Sequence, residues 1–160
     1  MINQSALCKL IKANGRDIVN LNNNGFQYCN GYMMAECDYE MERVISKLLK
    51  VRALSAGKEL KPTRTQDLSK IIETTNEVLV LRTEYMRVSG DKVGYVFKVN
   101  GEFYTYSKDL VDVFEGVTYT AVVDGEKVIL KVYQGTKFEG LILNMRIKAD
   151  VKMEMQEFEA

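Results

Sequence analysis

The sequence predicts an α+β domain in which three to four helices pack on an antiparallel β-sheet. Turn pairs between alternating apolar runs predict the sheet; they are Asn30-Gly31, Asn100-Gly101 and Asp124-Gly125. Each pair is typical of the centre of a type I′ turn, where both residues need a positive φ. An apolar repeat of helical period between the first two pairs predicts the helical layer.

The length of 160 residues favours one domain, 1–160, large enough for its own core. Changes in pattern along the chain suggest four parts. They are an N-terminal helix–hairpin–helix part (1–52), a mobile connector (53–66), a main sheet part (67–148) and a C-terminal strand extension (149–160). The connector is proposed because it contains Gly57 and the only proline, Pro62.

The N-terminal part begins with an amphipathic helix over 5–14, with Leu7, Leu10 and Ile11 on one face. A short strand over 17–21 and a hairpin of strands 26–29 and 32–36 follow. The clearest helix spans 38–51, with Asp38 as its N-cap. Its apolar stripe, which we expect in the core, is Met41, Val44, Ile45, Leu48 and Leu49.

The main sheet part predicts two similar runs of elements. A helix over 67–74 leads into strands 78–88, 93–99 and 102–106, the first two joined at Gly90-Asp91. Ser107 can cap a second helix, which Gly116 closes. Strands 117–123 and 126–133 follow, and a last strand begins at Phe138.

The last strand predicts a subunit contact. Apolar residues alternate without a break from Leu141 to Met155, well past the mean strand length of about 5–6 residues. The domain's own core can cover this face up to Ile147, and a second copy of the chain is the simplest cover beyond it. We therefore expect a homo-oligomer whose contact includes 149–158. The candidate interface residues are Val151, Met153, Met155 and Phe158.

Charge is unevenly distributed, although the formal net charge is zero. Between Arg43 and Lys70 there are eight basic residues and two acidic ones. Such asymmetry is typical of a segment that faces a polyanion, and a solvated helix face is the plainer alternative. The candidate nucleic-acid-binding residues are Arg43, Lys47, Lys50, Arg52, Lys58, Lys61 and Arg64.

Catalytic motifs are missing from the sequence. The chain has no histidine, which excludes His-based acid–base catalysis and His-containing metal sites. No phosphate-binding glycine loop occurs, and the three cysteines have no CxxC spacing. We therefore expect no catalytic residues, no metal and no cofactor. No apolar run approaches the about 20 residues of a membrane span, and no leader is evident, so we expect a cytoplasmic, non-enzymatic protein without membrane contact.

Aromatic residues cluster on the predicted strands 93–99 and 102–106, where they support two interpretations. Aromatic side chains on a sheet face can stack the bases of single-stranded nucleic acids. Packing between neighbouring strands is the plainer explanation, because few Arg and Lys residues are interleaved among them. The residues are Tyr95, Phe97, Phe103, Tyr104 and Tyr106.

Residues 67–147 resemble one domain of the DNA sliding clamps, because they read helix, three strands, helix, three strands. Such a domain is a twice-repeated β-α-β-β-β unit. Residues 140–147 also resemble the closing strand of bacterial clamps, with Asn144 in place of a proline and Ile147 in place of a leucine. The resemblance covers about half of the chain, which continues for thirteen residues beyond it.

The chain as a whole resembles small α+β proteins of bacteriophages, in its low proline content, its Asn-Gly turns and the strand over 30–34 before an acidic-capped helix. These resemblances imply two functions. The first is a clamp-like accessory of DNA replication or DNA metabolism that assembles around duplex DNA. The second is an anti-defence protein that blocks a host protein or sequesters a nucleotide signal.

Overall fold

A computed structural model describes residues 1–11, 17–21, 23–53, 77–145 and 154–157. For residues 52, 53, 89 and 154–157 it describes the backbone only. These residues form ten strands and three helices. The helices are α1 (Gln4–Leu10), α2 (Glu42–Ala53) and α3 (Lys108–Val111). The strands are β1 (Ile18–Leu21), β2 (Gly25–Cys29), β3 (Met33–Asp38), β4 (Val78–Ser89), β5 (Lys92–Val99), β6 (Glu102–Ser107), β7 (Thr118–Asp124), β8 (Lys127–Gln134), β9 (Lys137–Leu143) and β10 (Glu154–Glu157).

The strands join in one antiparallel sheet with the order β1-β2-β3-β9-β8-β7-β4-β5-β6, and β10 pairs with β4. That the sheet curls follows from β6, which is bonded to residues that are not its neighbours in this order. The Met145 amide beyond β9 donates to the Thr105 carbonyl of β6 at 2.8 Å. The Tyr106 hydroxyl of β6 also donates to the Val128 carbonyl of β8 at 2.7 Å. Antiparallel sheet with few helices is thus the architecture of the described residues.

The curled sheet encloses a main core that all three helices help to fill. Leu7 of α1, Val44 of α2 and Val111 of α3 are buried there with side chains from β2, β5, β6 and β8. A smaller apolar cluster lies on the opposite face of β2, β3, β8 and β9; its buried members are Cys29, Met34, Ile129 and Leu141. The cysteines are free, and two of the three are buried, as small apolar residues would be.

The predicted hairpins form, but only one of the three turns is of the predicted type. At Asn100-Gly101 both residues have positive φ, 50° and 81°, and Val99 pairs with Glu102. In the β7–β8 hairpin Asp124 pairs with Lys127, so Gly125-Glu126 is the centre of the turn. A positive φ at the first central residue only is typical of type II′.

The turn after β2 is wider than predicted. Three residues, 30 to 32, lie between β2 and β3, and among them only Gly31 has a positive φ. The Asn30 side-chain oxygen accepts from the amides of Tyr32 and Met33 at 3.0 and 2.9 Å. The side chain of Asn30 therefore organises the loop together with its backbone amide, which donates to the Met33 carbonyl at 3.2 Å.

Helix α2 begins four residues later than predicted. Asp38 ends β3, and its Oδ1 accepts from the Glu40 amide at 2.9 Å, so it organises the turn before the helix. Val44 and Leu48 are buried as expected, but Leu49 is 66% exposed. Helix α1 is also shorter than predicted and ends at Leu10, while the predicted helix over 67–74 lies outside the described residues.

The prediction of one long C-terminal strand is wrong. β9 ends at Leu143, and Asn144 leaves the strand. The Asn144 side chain accepts from the Val128 amide at 3.0 Å and donates to the Glu126 carbonyl at 3.4 Å. The alternating pattern fixes which face each residue takes, but it does not require one continuous strand.

The two halves of the sheet meet at a very short junction between β4 and β7. Only Val78 with Ala121 and Leu79 with Thr120 are paired there. Glu77, directly before β4, reinforces this junction by accepting bonds from β7 and β8. Its donors are Lys131 Nζ, the Tyr133 hydroxyl at 2.8 Å and the Thr120 hydroxyl at 2.8 Å.

This junction contains a buried cation, because Lys131 is only 1% exposed. Burial opposes the charged form of both partners, but hydrogen bonding between them outweighs it. The pKa of Glu77 is therefore lowered by its bonds from Lys131, Tyr133 and Thr120. The pKa of Lys131 is raised by its bond to Glu77. Both groups are thus charged at neutral pH.

We expect Leu48→Ala to lower the free energy of unfolding by about 2–5 kcal/mol, because it removes buried side-chain volume from the main core. Leu49→Ala is the matched control, since Leu49 lies on the same helix and is exposed. Urea unfolding measures both. Equal effects of the two substitutions would show that α2 does not pack through Leu48.

We expect Glu77→Gln to lower the free energy of unfolding at pH 7 by about 3–5 kcal/mol, because it leaves the Lys131 cation buried without its carboxylate. Lys131→Met should cost less, since the Glu77 side chain is 24% exposed and keeps Thr120 and Tyr133 as donors. Urea unfolding measures the free energy of unfolding of both variants. A larger loss for Lys131→Met than for Glu77→Gln would contradict this order.

The lowered pKa of Glu77 fixes the sign of the pH dependence. Its stabilising effect is complete above the pKa of the unfolded state and is lost as the pH falls through the lower pKa of the folded state. The stability difference between the wild type and Glu77→Gln should therefore shrink in acid. Urea unfolding across a pH series measures it, and a constant difference would be the contrary result.

Candidate functional site

Three cations of the predicted nucleic-acid site lie together where α2 packs on α1. We call Arg43, Lys47 and Lys50 the basic face. With Cys8, Glu42 and Ser46 they line a shallow depression of about 470 Å³. Their spacing of four and three residues places these cations on one face of α2, beside the buried Val44 and Leu48.

The contact between α1 and α2 holds Arg43 in place. Its guanidinium Nη1 donates to the Ser5 hydroxyl at 3.0 Å, and its amide donates to Gln4 Oε1 at 3.2 Å. The Cys8 thiol donates to the Arg43 carbonyl at 3.5 Å. Burial raises the pKa of Cys8, although Lys47 and Arg43 act to lower it, so the thiol is neutral at pH 7. The basic face therefore keeps its positive charge.

The remaining predicted residues of this site cannot be placed from the part of the chain that the structure describes. Arg52 belongs to α2, but its side chain is not described. Lys58, Lys61 and Arg64 lie outside the described residues.

Of the predicted interface residues, only Met155 lies in a described element. It belongs to β10, which pairs with β4 of the same chain, and Met155 is opposite Arg87. Val151, Met153 and Phe158 lie outside the described residues. The homo-oligomer remains a prediction.

A groove that the sequence did not predict lies between α1, α3 and the strands β4 and β7. It measures about 1070 Å³, and its polar lining includes Lys9, Arg82, Lys108, Asp112 and Tyr119. The spacing of Lys108 and Asp112 indicates an ion pair on one helical turn, which forms. No comparable signal marks Arg82 or Tyr119, because strand pairing alone brings them to the groove.

One carboxylate organises the groove. Asp112 accepts a hydrogen bond from the Tyr95 hydroxyl at 2.9 Å and forms an ion pair with Lys108. The Arg82 guanidinium lies over the Tyr95 ring, 4.4 Å from its centroid. Burial raises the pKa of Tyr95, and Asp112 raises it further. Tyr95 is therefore protonated at neutral pH and keeps its hydrogen bond to Asp112.

The aromatic residues of β5 and β6 mainly form core contacts. Tyr95, Phe97 and Tyr106 are buried. The Phe97 ring makes edge contacts with Tyr106 and Tyr119, each at 5.1 Å between centroids. Phe103 is 46% exposed, so one aromatic side chain of this cluster is open to solvent. Packing between strands thus accounts for the three buried residues.

Comparison with protein-family models, with curated proteins and with solved structures finds no match for this chain. Within the described ranges, no three Cys, Asp or Glu side chains are grouped closely enough to hold a metal ion. In the part of the chain that the structure describes, no helix combines the length and the apolar composition needed to cross a bilayer.

Proposed function

We propose that this chain is a non-catalytic, clamp-like accessory of DNA metabolism, which assembles from several copies and holds duplex DNA through phosphate contacts. The observation that carries the proposal is a symmetry of strand order. Six neighbouring strands of the sheet have the order β9-β8-β7-β4-β5-β6. Exchanging β4 with β7, β5 with β8 and β6 with β9 gives the same order read from the other end. The antiparallel pair of β4 and β7 lies at its centre.

Matching turns support the same repeat. The β4–β5 and β7–β8 hairpins both have two-residue loops that begin with a glycine of positive φ, Gly90 at 62° and Gly125 at 60°. In the order of described elements, β4, β5 and β6 come after α2, and β7, β8 and β9 come after α3. That order supports the repeat that the resemblance to sliding clamps implies.

The basic face supports the DNA contact. It places three cations on one helix with Glu42 beside them, and the bond from Arg43 to the neutral Ser5 hydroxyl does not neutralise the charge of Arg43. Lysine and arginine side chains that meet phosphates release counterions, which makes binding strongly dependent on salt. Such contacts hold a duplex without reading its sequence.

We expect Lys47→Gln/Lys50→Gln to weaken DNA binding and to reduce the slope of log affinity against log salt by about 2, one unit for each lost phosphate contact. Fluorescence anisotropy with a labelled duplex measures the slope. Lys98→Gln/Lys127→Gln is the control, because it removes the same charge from exposed positions on β5 and β8. A wild-type chain without DNA affinity at low salt would refute the proposal.

We expect deletion of residues 149–160 to give a folded protein of smaller assembly size, because the candidate subunit contact lies there. Light scattering measures the mass, and circular dichroism checks that the shortened chain is folded. A full-length protein that is already monomeric at high concentration would contradict the proposed assembly.

The groove favours the second function, capture of a nucleotide signal. It is large enough for such a ligand and offers Lys9, Arg82 and Lys108 beside Tyr119. A stoichiometric complex with a nucleotide in isothermal titration calorimetry, from a chain that binds no duplex, would favour this function over the first.

A further inference from the structure

The groove and the basic face meet at Ser5 of α1. Ser5 lines the groove, and its hydroxyl accepts the hydrogen bond from Arg43 Nη1 at 3.0 Å. Lys9 follows Ser5 by four residues, so it lies on the same side of α1, and it also lines the groove. Positive charge therefore continues from Arg43 on α2 across α1 to Lys9, and one extended ligand can contact both sites.

The two sites differ in their balance of charge. The basic face has three cations and one acid, Glu42. In the groove three cations are matched by three acids; the cations are Lys9, Arg82 and Lys108, and the acids are Asp109, Asp112 and Glu115. Asp112 and Lys108 are already paired with each other. A run of phosphates therefore favours the basic face, whereas the groove favours a neutral group that donates and accepts hydrogen bonds.

Arg82 presents a planar group to the groove. Its guanidinium lies over the Tyr95 ring, 4.4 Å from the centroid, and donates a hydrogen bond to the Tyr119 hydroxyl. Arg82 is nevertheless exposed, so a ligand in the groove can reach it. Unpaired nucleic-acid bases stack on aromatic rings and on guanidinium planes, and their edges bond to polar side chains. A base that is stacked and paired inside a duplex cannot enter such a recess.

We propose that the basic face and the groove form one binding site for a duplex end that carries a single-stranded extension. The phosphates contact the basic face, and an unpaired base passes Ser5 into the groove. There it lies beside Arg82 and Tyr119. The inference rests on the proposed DNA contact and adds the form of DNA that the chain prefers. It does not depend on the assembly of several copies.

Fluorescence anisotropy with three labelled DNA molecules tests the preference. One is a blunt duplex, and the other two are the same duplex with a short single-stranded thymidine extension, one of each polarity. We expect one extended duplex to bind about tenfold more tightly than the blunt one, because base stacking adds to the phosphate contacts. Equal affinities for all three would overturn the inference and leave the proposed duplex binding standing. A chain that binds none of them would refute the proposed function itself.

Arg82→Gln tests whether the unpaired base lies in the groove. We expect this variant to bind the extended and the blunt duplex equally well, with an unchanged salt slope on the extended duplex, since Arg82 contacts a base and no phosphate. Lys98→Gln is the control, because Lys98 is exposed on β5 and is not part of the groove lining. A preference that survives Arg82→Gln, or a slope reduced by about 1, would overturn the inference.

Photo-cross-linking to the wild-type chain locates the base without relying on a variant. A photoreactive thymidine at the first unpaired position should form adducts with residues of the groove, which mass spectrometry of the peptides identifies. The expected residues are Arg82, Thr118 and Tyr119. The same thymidine inside the duplex is the control and should leave these residues unmodified. Adducts on α2 alone would show that the extension stays on the basic face, and the inference would be wrong.

Discussion

The short junction between β4 and β7 is the constraint on which the rest of the structure depends. Two residue pairs join the three strands β4, β5 and β6 to the remainder of the sheet. Glu77 strengthens this short pairing, because it accepts hydrogen bonds from two neighbouring strands, β7 and β8. A buried lysine without this carboxylate would be costly, so the junction and the position of Glu77 are fixed together.

A second set of hydrogen bonds also joins the β4–β6 half to the rest of the sheet. Met145 and Tyr106 connect β6, at one end of the strand order, to the region of β8 and β9. The sheet is thus held at both ends of the β4–β6 half and encloses the main core. The residues around Gly140 of β9 are closely packed, since a Cβ there would lie 2.3 Å from the Met34 carbonyl oxygen and 2.6 Å from the Phe114 ring.

The candidate sites follow from how the helices sit on this enclosure. Helix α1 contributes to both, because it packs beside α2 at the basic face and borders the groove with α3. The N-terminal residues hold it there: the Asn3 amide donates to the Val113 carbonyl at 2.7 Å, and the Asn3 side chain caps α1 at the Ala6 amide. A ligand at the basic face and one in the groove would therefore both contact the same short helix.

Local interactions determined what the sequence alone could predict. Hairpins at the glycine turns, the stripe of α2 through Val44 and Leu48, and the charges of the basic face all depend on residues close together in the chain. Only the tertiary structure decided the end of β9, where Asn144 bonds to residues at the start of β8, and the groove. Glu77 and Lys131 are 54 residues apart, and no period or spacing marks two residues as partners at that distance. Alternation assigns the faces of a strand, whereas pairing partners are chosen by the packing of the whole sheet.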